Sequence, residues 1–152
     1  MPRPAGNETP DAIIAAECLA VRLRALNRAV TALYDDTLRP HGLRVGQLNL
    51  LVAVARLGIA KPGDLCRVLC MDKSTLSRDV EVLRRHGWLA ADRTGGRSRP
   101  LRITPVGRAL LERVTPAWRQ AQAQACTLIG DDGAEAVLAM ARRLGNEGTP
   151  GL

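Results

Sequence analysis

The sequence predicts a mainly α-helical protein with one small β-hairpin. Apolar residues recur at helical spacing along most of the chain, and only the segment around residues 88–103 departs from that pattern. The chain has 152 residues, of which 46% are hydrophobic, so it can bury a core without disulfides or a structural metal. This length fits one domain, or one small domain with helical extensions.

A long first helix is predicted over residues 11–38, after a flexible tail at residues 1–10. Its main apolar seam advances in steps of four and three, through Ala12, Ala16, Leu19, Leu23, Leu26, Val30 and Leu33. A second face of smaller residues runs through Ile14, Cys18, Val21, Ala25, Ala29 and Ala32. A helix that is apolar on two sides must be buried on two sides, so we expect it to lie between its own domain and a partner chain.

Three shorter helices follow. The second helix covers roughly residues 45–57, and the third is short and begins at Pro62, a residue that suits the first helical position because its missing N–H costs little there. The fourth covers residues 73–86, where Asp72 fits the N-cap and Gly87 the stop.

The pattern then changes to two short strands at residues 88–93 and 99–103, around a tip rich in glycine and arginine. Pro100 within the second strand predicts an exposed edge. A long helix begins at Thr104-Pro105 and is expected to kink at Pro116. A break at Asp131-Asp132-Gly133 precedes a last helix at about residues 134–144.

Three helices followed by a hairpin with a basic tip form a winged helix-turn-helix, so the fourth helix is the candidate DNA-recognition helix. Small hydroxyls at the start of this helix allow its backbone to come close to phosphates or base edges, and the helix dipole favours a nearby phosphate. An arginine one turn further on is long enough to reach guanine, and an arginine at the tip of the wing can enter the narrow minor groove. On an isolated helix, residues of this kind would simply form a solvated face. Next to a wing, however, contact with DNA is the favoured interpretation. The candidate DNA-binding residues are Lys73, Ser74, Thr75, Ser77, Arg78, Arg97 and Arg99.

Composition supports an anionic partner. The 22 basic and 15 acidic residues give a net charge of +7, which indicates nucleic acid before a membrane surface. Aromatic residues are nearly absent, which argues against proteins that stack single-stranded bases on aromatic platforms. We see no signal peptide and no membrane span in the sequence, and we expect a cytoplasmic protein with reduced cysteines.

The sequence resembles the MarR family of bacterial transcription regulators over roughly residues 13–145. The resemblance rests on GLRVGQL at 42–48, MDKSTLSR at 71–78, RRHGWL at 84–89, and Arg97 followed by LRITPVG at 101–107. It implies a homodimer that binds double-stranded DNA at an inverted-repeat operator, mostly as a repressor that an effector such as a small molecule, a metal or an oxidant releases.

The same resemblance implies a helical dimerisation module from residues 11–42 and 105–145, a DNA-binding region at 43–104 and a flexible tail at 146–152. Two positions depart from the family pattern. Gly95 stands where the wing commonly has an aspartate two residues before Arg97, and Arg44 replaces the usual Thr or Ser at the start of the second helix.

Cys18 is a candidate redox sensor, because some organic-peroxide sensors of this family carry a reactive cysteine in the first helix that tyrosine hydroxyls activate. Tyr34 is too far along one straight helix to touch it, and a small buried hydrophobe is the favoured interpretation. Cys66 and Cys70 lack further metal ligands nearby, and we expect no metal or cofactor. No catalytic set is visible, so the alternative to a specific regulator is a nonspecific architectural DNA-binding protein rather than an enzyme.

Overall fold

The computed structural model describes residues 9–92 and 99–145, and it confirms a mainly α-helical fold with a two-stranded antiparallel hairpin. The hairpin tip with Arg97, and the two tails at 1–8 and 146–152, lie outside the described residues. The elements in chain order are α1 Pro10–Glu17, α2 Leu19–Leu38, a 3-10 turn Arg39–His41, α3 Val45–Leu57, α4 Pro62–Val68, α5 Lys73–Arg85, β1 Leu89–Ala91, β2 Leu101–Ile103, α6 Pro105–Ile129 and α7 Asp131–Gly145.

The predicted continuous helix over residues 11–38 is wrong, because the helix is interrupted at Cys18. Cys18 has extended backbone angles (φ −64°, ψ 105°) and separates α1 from α2. The guanidinium of Arg22 donates to the carbonyl oxygens of Ala15 and Ala16, at 3.1 and 3.0 Å. Carbonyls at a helix end lack helical partners, so this side chain supplies the bonds that a continued helix would have made.

The chain divides into two compact units, Met1–Ala32 and Leu33–Leu152. The core of the second unit is built around α3, which packs against α4, α5, α6 and β2. Its largest fully buried side chains are Leu38, Leu50, Leu51, Val54, Leu65, Leu83, Leu110 and Val114. Among residues 9–92 and 99–145, no helix combines the length and apolarity needed to cross a bilayer.

The start of α3 is held by residues distant in sequence. Arginine has no acceptor atom, so Arg44 cannot cap the helix with its side chain. Instead the carboxylate of Asp35 accepts from the Val45 N–H at 2.7 Å, and Gln47 Oε1 accepts from the Arg44 N–H at 3.1 Å. The buried Gln47 also donates to Asp79 at 3.3 Å, which ties the start of α3 to the middle of α5.

The hairpin is shorter than predicted. β1 and β2 pair from Leu89↔Ile103 to Ala91↔Leu101, and Ala60 forms an isolated bridge on the other side of Leu101. Pro100 lies before β2 and not within it, and the Ala60 bridge covers the outer edge of the strand at Leu101, so the expected exposed edge is wrong here.

The long helix α6 continues through Pro116, as predicted, and runs to Ile129, where Gly130 (φ 73°) ends it. The kink at Pro116 stays a prediction. The acidic residues expected to break the helix instead begin α7, which starts at Asp131, three residues before the predicted position. Acidic side chains suit this first turn because the helix dipole is positive there.

The first turn of α6 lies against the start of the hairpin. The Thr104 hydroxyl accepts from the Gly107 N–H at 3.0 Å and donates to the carbonyl oxygen of Gly87 at 2.6 Å. A Cβ at Gly107 would lie 2.3 Å from the carbonyl oxygen of Trp88 and 2.8 Å from Cγ1 of Ile103. Glycine is therefore required here by the closeness of the hairpin backbone, although the position is helical.

We expect Gly107→Ala to destabilise the protein by about 2 kcal/mol, because the added methyl group meets a backbone oxygen that cannot move freely. Gly133→Ala is the matched control, since its Cβ would be 3.6 Å from Cβ of Ile129, an ordinary contact. Alanine is the better helix former by about 1 kcal/mol, so the control should be neutral or stabilising. Denaturant unfolding of both variants measures the difference, and equal midpoints for Gly107→Ala and the wild type would contradict the close approach.

Candidate nucleic-acid interface

Helix α5 has one buried and one exposed face. Leu76 and Leu83 are buried in the core, whereas Lys73, Ser74, Ser77 and Arg78 are exposed and Thr75 is half-buried. The structure thus brings the five candidate residues of the fourth helix together near its N-terminus. This surface, formed by residues 73–78, is called the recognition face below.

Asp72 caps α5 and also binds two side chains of the recognition face. Its Oδ1 accepts from the Thr75 N–H at 2.8 Å and from the Ser74 hydroxyl at 2.6 Å. Its Oδ2 accepts from the Thr75 hydroxyl at 2.7 Å. The hydroxyls of Ser74 and Thr75, followed by the Thr75 N–H, hold the pKa of Asp72 well below its ordinary value. The N-cap is confirmed, but sequence reasoning missed the two hydroxyl bonds, because they depend on side-chain rotamers.

Arg78 rests on its own helix without an acidic partner in the described part of the chain. Its Nε donates to the carbonyl oxygen of Ser74 at 3.3 Å, and Nη2 lies 3.4 Å from Oγ1 of Thr75. By contrast, Arg85 on the same helix pairs with Glu81 at 3.3 Å. The exposed charge of Arg78 is therefore available to an external anion or base edge.

A groove of about 290 Å³ separates α5 from the hairpin and α4. Leu76, Val80 and Leu101 form part of its apolar lining, together with Pro62, Gly63, Cys66, Ser77 and Ala91. Three cationic side chains also line it: Lys73, Arg84 and Arg99.

Arg84 lies in the last turn of α5, where a cation suits the helix dipole. It also shares the groove with Lys73 of the same helix and with Arg99, which tertiary folding brings to them. No ion pair to any of the three is formed by residues 9–92 and 99–145.

The end of α5 fixes where the hairpin starts. Gly87 adopts a left-handed φ of 72°, its N–H donates to the carbonyl oxygen of Arg84, and the Trp88 N–H donates to that of Leu83. These two bonds form a Schellman motif, and they confirm Gly87 as the predicted stop. Trp88 is buried and stacks on His86 with ring centroids 4.3 Å apart, so His86 has a packing role.

The cysteines do not form a metal site. Cys18 is half-buried at the break between α1 and α2, Cys66 is half-buried in the groove, and Cys70 is exposed with a left-handed φ of 51°. Within the described ranges, no group of three or more potential ligands from His, Cys, Asp and Glu could hold a metal.

The buried Tyr34 hydroxyl donates to Gln122, whose amide contacts Cys126 Sγ at 3.6 Å. Burial, with a smaller contribution from Cys126, raises the pKa of Tyr34. The Tyr34 hydroxyl thus spends its proton on a hydrogen bond within the second unit. The role of Cys18 as a redox sensor stays a prediction.

No protein-family model matches the chain, and no curated protein matches it. Among solved structures, the M. tuberculosis transcriptional regulator MosR is 30% identical, with a TM-score of 0.72 over 86% of this chain and 95% of that one.

Two further structures share the fold at lower identity. A mutant MarR from E. coli complexed with operator DNA is 17% identical, with a TM-score of 0.73 over 87% of this chain and 96% of that one. BpsR of Bordetella bronchiseptica, whose DNA binding is regulated by 6-hydroxynicotinic acid, is 22% identical, with a TM-score of 0.73 over 85% of this chain and 95% of that one. With the winged helix-turn-helix fold and this 30% identity over most of both chains, the protein belongs to the MarR family of DNA-binding transcription regulators.

Proposed function

We propose that this protein is a homodimeric repressor that binds an inverted-repeat operator and is released by a small-molecule effector. The observation that carries the proposal is the recognition face of α5 beside a groove lined by three cations. On this face, Arg78 has no acidic partner among the described residues. A repressor needs both features, because base edges give sequence preference and phosphates give affinity.

The recognition face fits the major groove. Helix α5 is amphipathic, and its exposed side carries an arginine one turn after the N-terminus, a position from which guanine O6 and N7 are within reach. In a symmetric dimer, two such helices enter successive major grooves about one helical turn of DNA apart. This spacing is the reason to expect an inverted repeat.

The groove between α5 and the hairpin fits a sugar–phosphate strand. A wing that reaches the minor groove and a helix in the major groove have the DNA backbone between them, and Lys73, Arg84 and Arg99 line that space. These cations have no acidic partner in the described residues, so phosphate contact breaks no ion pair. Arg97, which lies outside the described residues, is proposed to continue this contact into the minor groove.

Self-association is supported by large apolar side chains that both units expose. In the first unit, Leu19 is 75% and Ile14 65% exposed; in the second, Leu144 is 72% exposed. Others of this kind are Ile13, Val21, Leu23, Leu128, Val137, Leu138 and Met140. We propose that a partner chain covers them, in a dimerisation module of residues 11–42 and 105–145 that presents a DNA-binding region at 43–104. Exposed apolar surface of this extent is typical of an interface.

The effector is proposed to be a small aromatic acid. The support is the regulation of BpsR DNA binding by 6-hydroxynicotinic acid, together with the fold that BpsR shares with this chain. Titration of the protein–DNA complex with aromatic acids of this kind, followed by fluorescence anisotropy, tests the release.

The test of the DNA-binding proposal is selection of duplexes from a randomised library, followed by affinity measurements at one fixed salt concentration. A specific repressor should bind the selected duplex at least about 10³-fold more tightly than random DNA, and the selected sequence should contain an inverted repeat. An architectural protein would bind both DNAs with nearly equal affinity, and that result would contradict the proposal.

Arg78→Ala should weaken binding to the selected duplex by about 1–3 kcal/mol and relax the preference at one base position in each half-site, because a base-edge contact is lost. Arg85→Ala is the control on the same helix, since Arg85 is already paired with Glu81 and should change affinity little. Binding measured against a panel of single-base variants distinguishes the two. Unchanged affinity and preference in Arg78→Ala would show that α5 does not read the bases.

The wild type should sediment as a dimer at micromolar concentration, and Leu144→Glu should shift it toward monomer, because a charge would be buried in the interface. Leu57→Glu is the control: Leu57 is 45% exposed, lies at the end of α3, outside the proposed dimerisation module, and should leave the dimer intact. A wild type that sediments as a well-folded monomer would contradict the proposed assembly.

A further inference from the structure

The hydrogen bonds at Asp72 have a direction that matters for DNA recognition. Three donors converge on its carboxylate at 2.6–2.8 Å: the Ser74 hydroxyl, the Thr75 hydroxyl and the Thr75 N–H. An ionised carboxylate can only accept, so both hydroxyls must use their single proton on Asp72. These bonds themselves keep Asp72 ionised, since they lower its pKa.

Because the Ser74 and Thr75 hydroxyls both donate to Asp72, their oxygens can act toward other groups only as hydrogen-bond acceptors. Ser74 is exposed, and its Oγ keeps both lone pairs, because no described residue donates to it. Thr75 is half-buried, and one of its lone pairs faces Arg78 Nη2 at 3.4 Å. Ser74 is therefore the residue that presents a hydrogen-bond acceptor to the outside.

A phosphate fits this position poorly. The N-terminus of a helix ordinarily attracts anions, but here the carboxylate of Asp72 already takes that place and bonds the Thr75 N–H. A phosphate oxygen would meet this negative charge and the lone pairs of Ser74. The major groove offers a better partner, since adenine N6 and cytosine N4 carry amino groups that donate.

We propose that Asp72 is a specificity-determining residue, which takes the Ser74 and Thr75 protons so that Ser74 reads the amino group of an adenine or a cytosine. This inference rests on the proposed DNA-binding function and makes it more specific. It also changes the expectation from the sequence that the helix start attracts a phosphate.

The test uses the full-length dimer, the selected duplex and Ser74→Ala, a change that leaves the Asp72 bond to the Thr75 N–H in place. The position read by Ser74 is the one at which this variant loses its base preference. The wild type should prefer adenine or cytosine there. Replacing that base by the analogue without the amino group, purine or 2-pyrimidinone, should weaken wild-type binding about fivefold, the usual value of one neutral hydrogen bond.

The expected signature is non-additive. Ser74→Ala should bind the amino-lacking duplex no more weakly than the parent duplex, because the same bond is already lost. Ser77→Ala is the matched control, because Ser77 is exposed on the same helix and makes no side-chain bond to a described carboxylate. Any loss of affinity in Ser77→Ala should therefore be the same for the parent duplex and for the duplex without the amino group.

The variant Asp72→Ser tests whether the Asp72 carboxylate causes the preference for the amino-bearing base. Serine still caps the Thr75 N–H, but it cannot accept both hydroxyl protons. Ser74 is then free to donate, so the preference for the amino-bearing base should fall below about twofold while denaturant unfolding reports a folded protein. A preference retained in full by folded Asp72→Ser would overturn the role of Asp72.

Two failures have different signatures. If the wild type binds all duplexes alike, the proposed DNA-binding function is wrong. If the wild type has a sequence preference but Ser74→Ala weakens every duplex by one common factor, or leaves every base preference unchanged, the specific binding stands and this inference is overturned.

Discussion

The contact between the first turn of α6 and the carbonyl of Trp88 sets the geometry of the DNA-binding region. The Trp88 N–H closes the end of α5 on Leu83, and the Trp88 carbonyl accepts from the Thr104 N–H at 3.1 Å. Gly107 permits this approach, because any side chain there would collide with that carbonyl. One residue thus joins α5, the hairpin and α6, so these contacts fix where the hairpin lies beside α5.

Three exposed arginines of the second unit have acidic partners close by in the sequence. Arg39, Arg67 and Arg85 form ion pairs with carboxylates three or four residues away. Such exposed pairs contribute little to stability, about 0.3–0.5 kcal/mol each. Lys73, Arg78, Arg84 and Arg99 have no such partner among the described residues, so the proposed DNA interface keeps their positive charge for phosphates and base edges.

The sequence predicted what depends on local pattern. Asp72 and Gly87 correctly marked the ends of α5, and the change from helical to strand spacing located the hairpin. The break at Cys18 escaped prediction because an arginine side chain satisfies the carbonyls there, with no glycine or proline to mark it. The cap of α3 escaped because Asp35 is ten residues from Val45. The groove escaped because Arg99, which precedes β2, joins Lys73 and Arg84 of α5 only through tertiary folding.

The recognition face is also more restrained than its sequence suggests. Small hydroxyls and a long arginine look like independent, freely rotating groups, yet Asp72 holds Ser74 and Thr75, and Thr75 together with the Ser74 carbonyl holds Arg78. Ordering such side chains on binding costs entropy, about 0.5–1.5 kcal/mol for each long one, and a face that is already ordered avoids part of that cost. The bonds to Arg78 are long, 3.3 and 3.4 Å, and neither partner is charged. In the proposed DNA complex, Arg78 therefore leaves its resting place for a base at small enthalpic cost, whereas Ser74 stays fixed by the Asp72 carboxylate. The proposal thus gives the two side chains different ways of contacting bases: Arg78 moves to its base, and Ser74 accepts a hydrogen bond only from a donor that fits its fixed position.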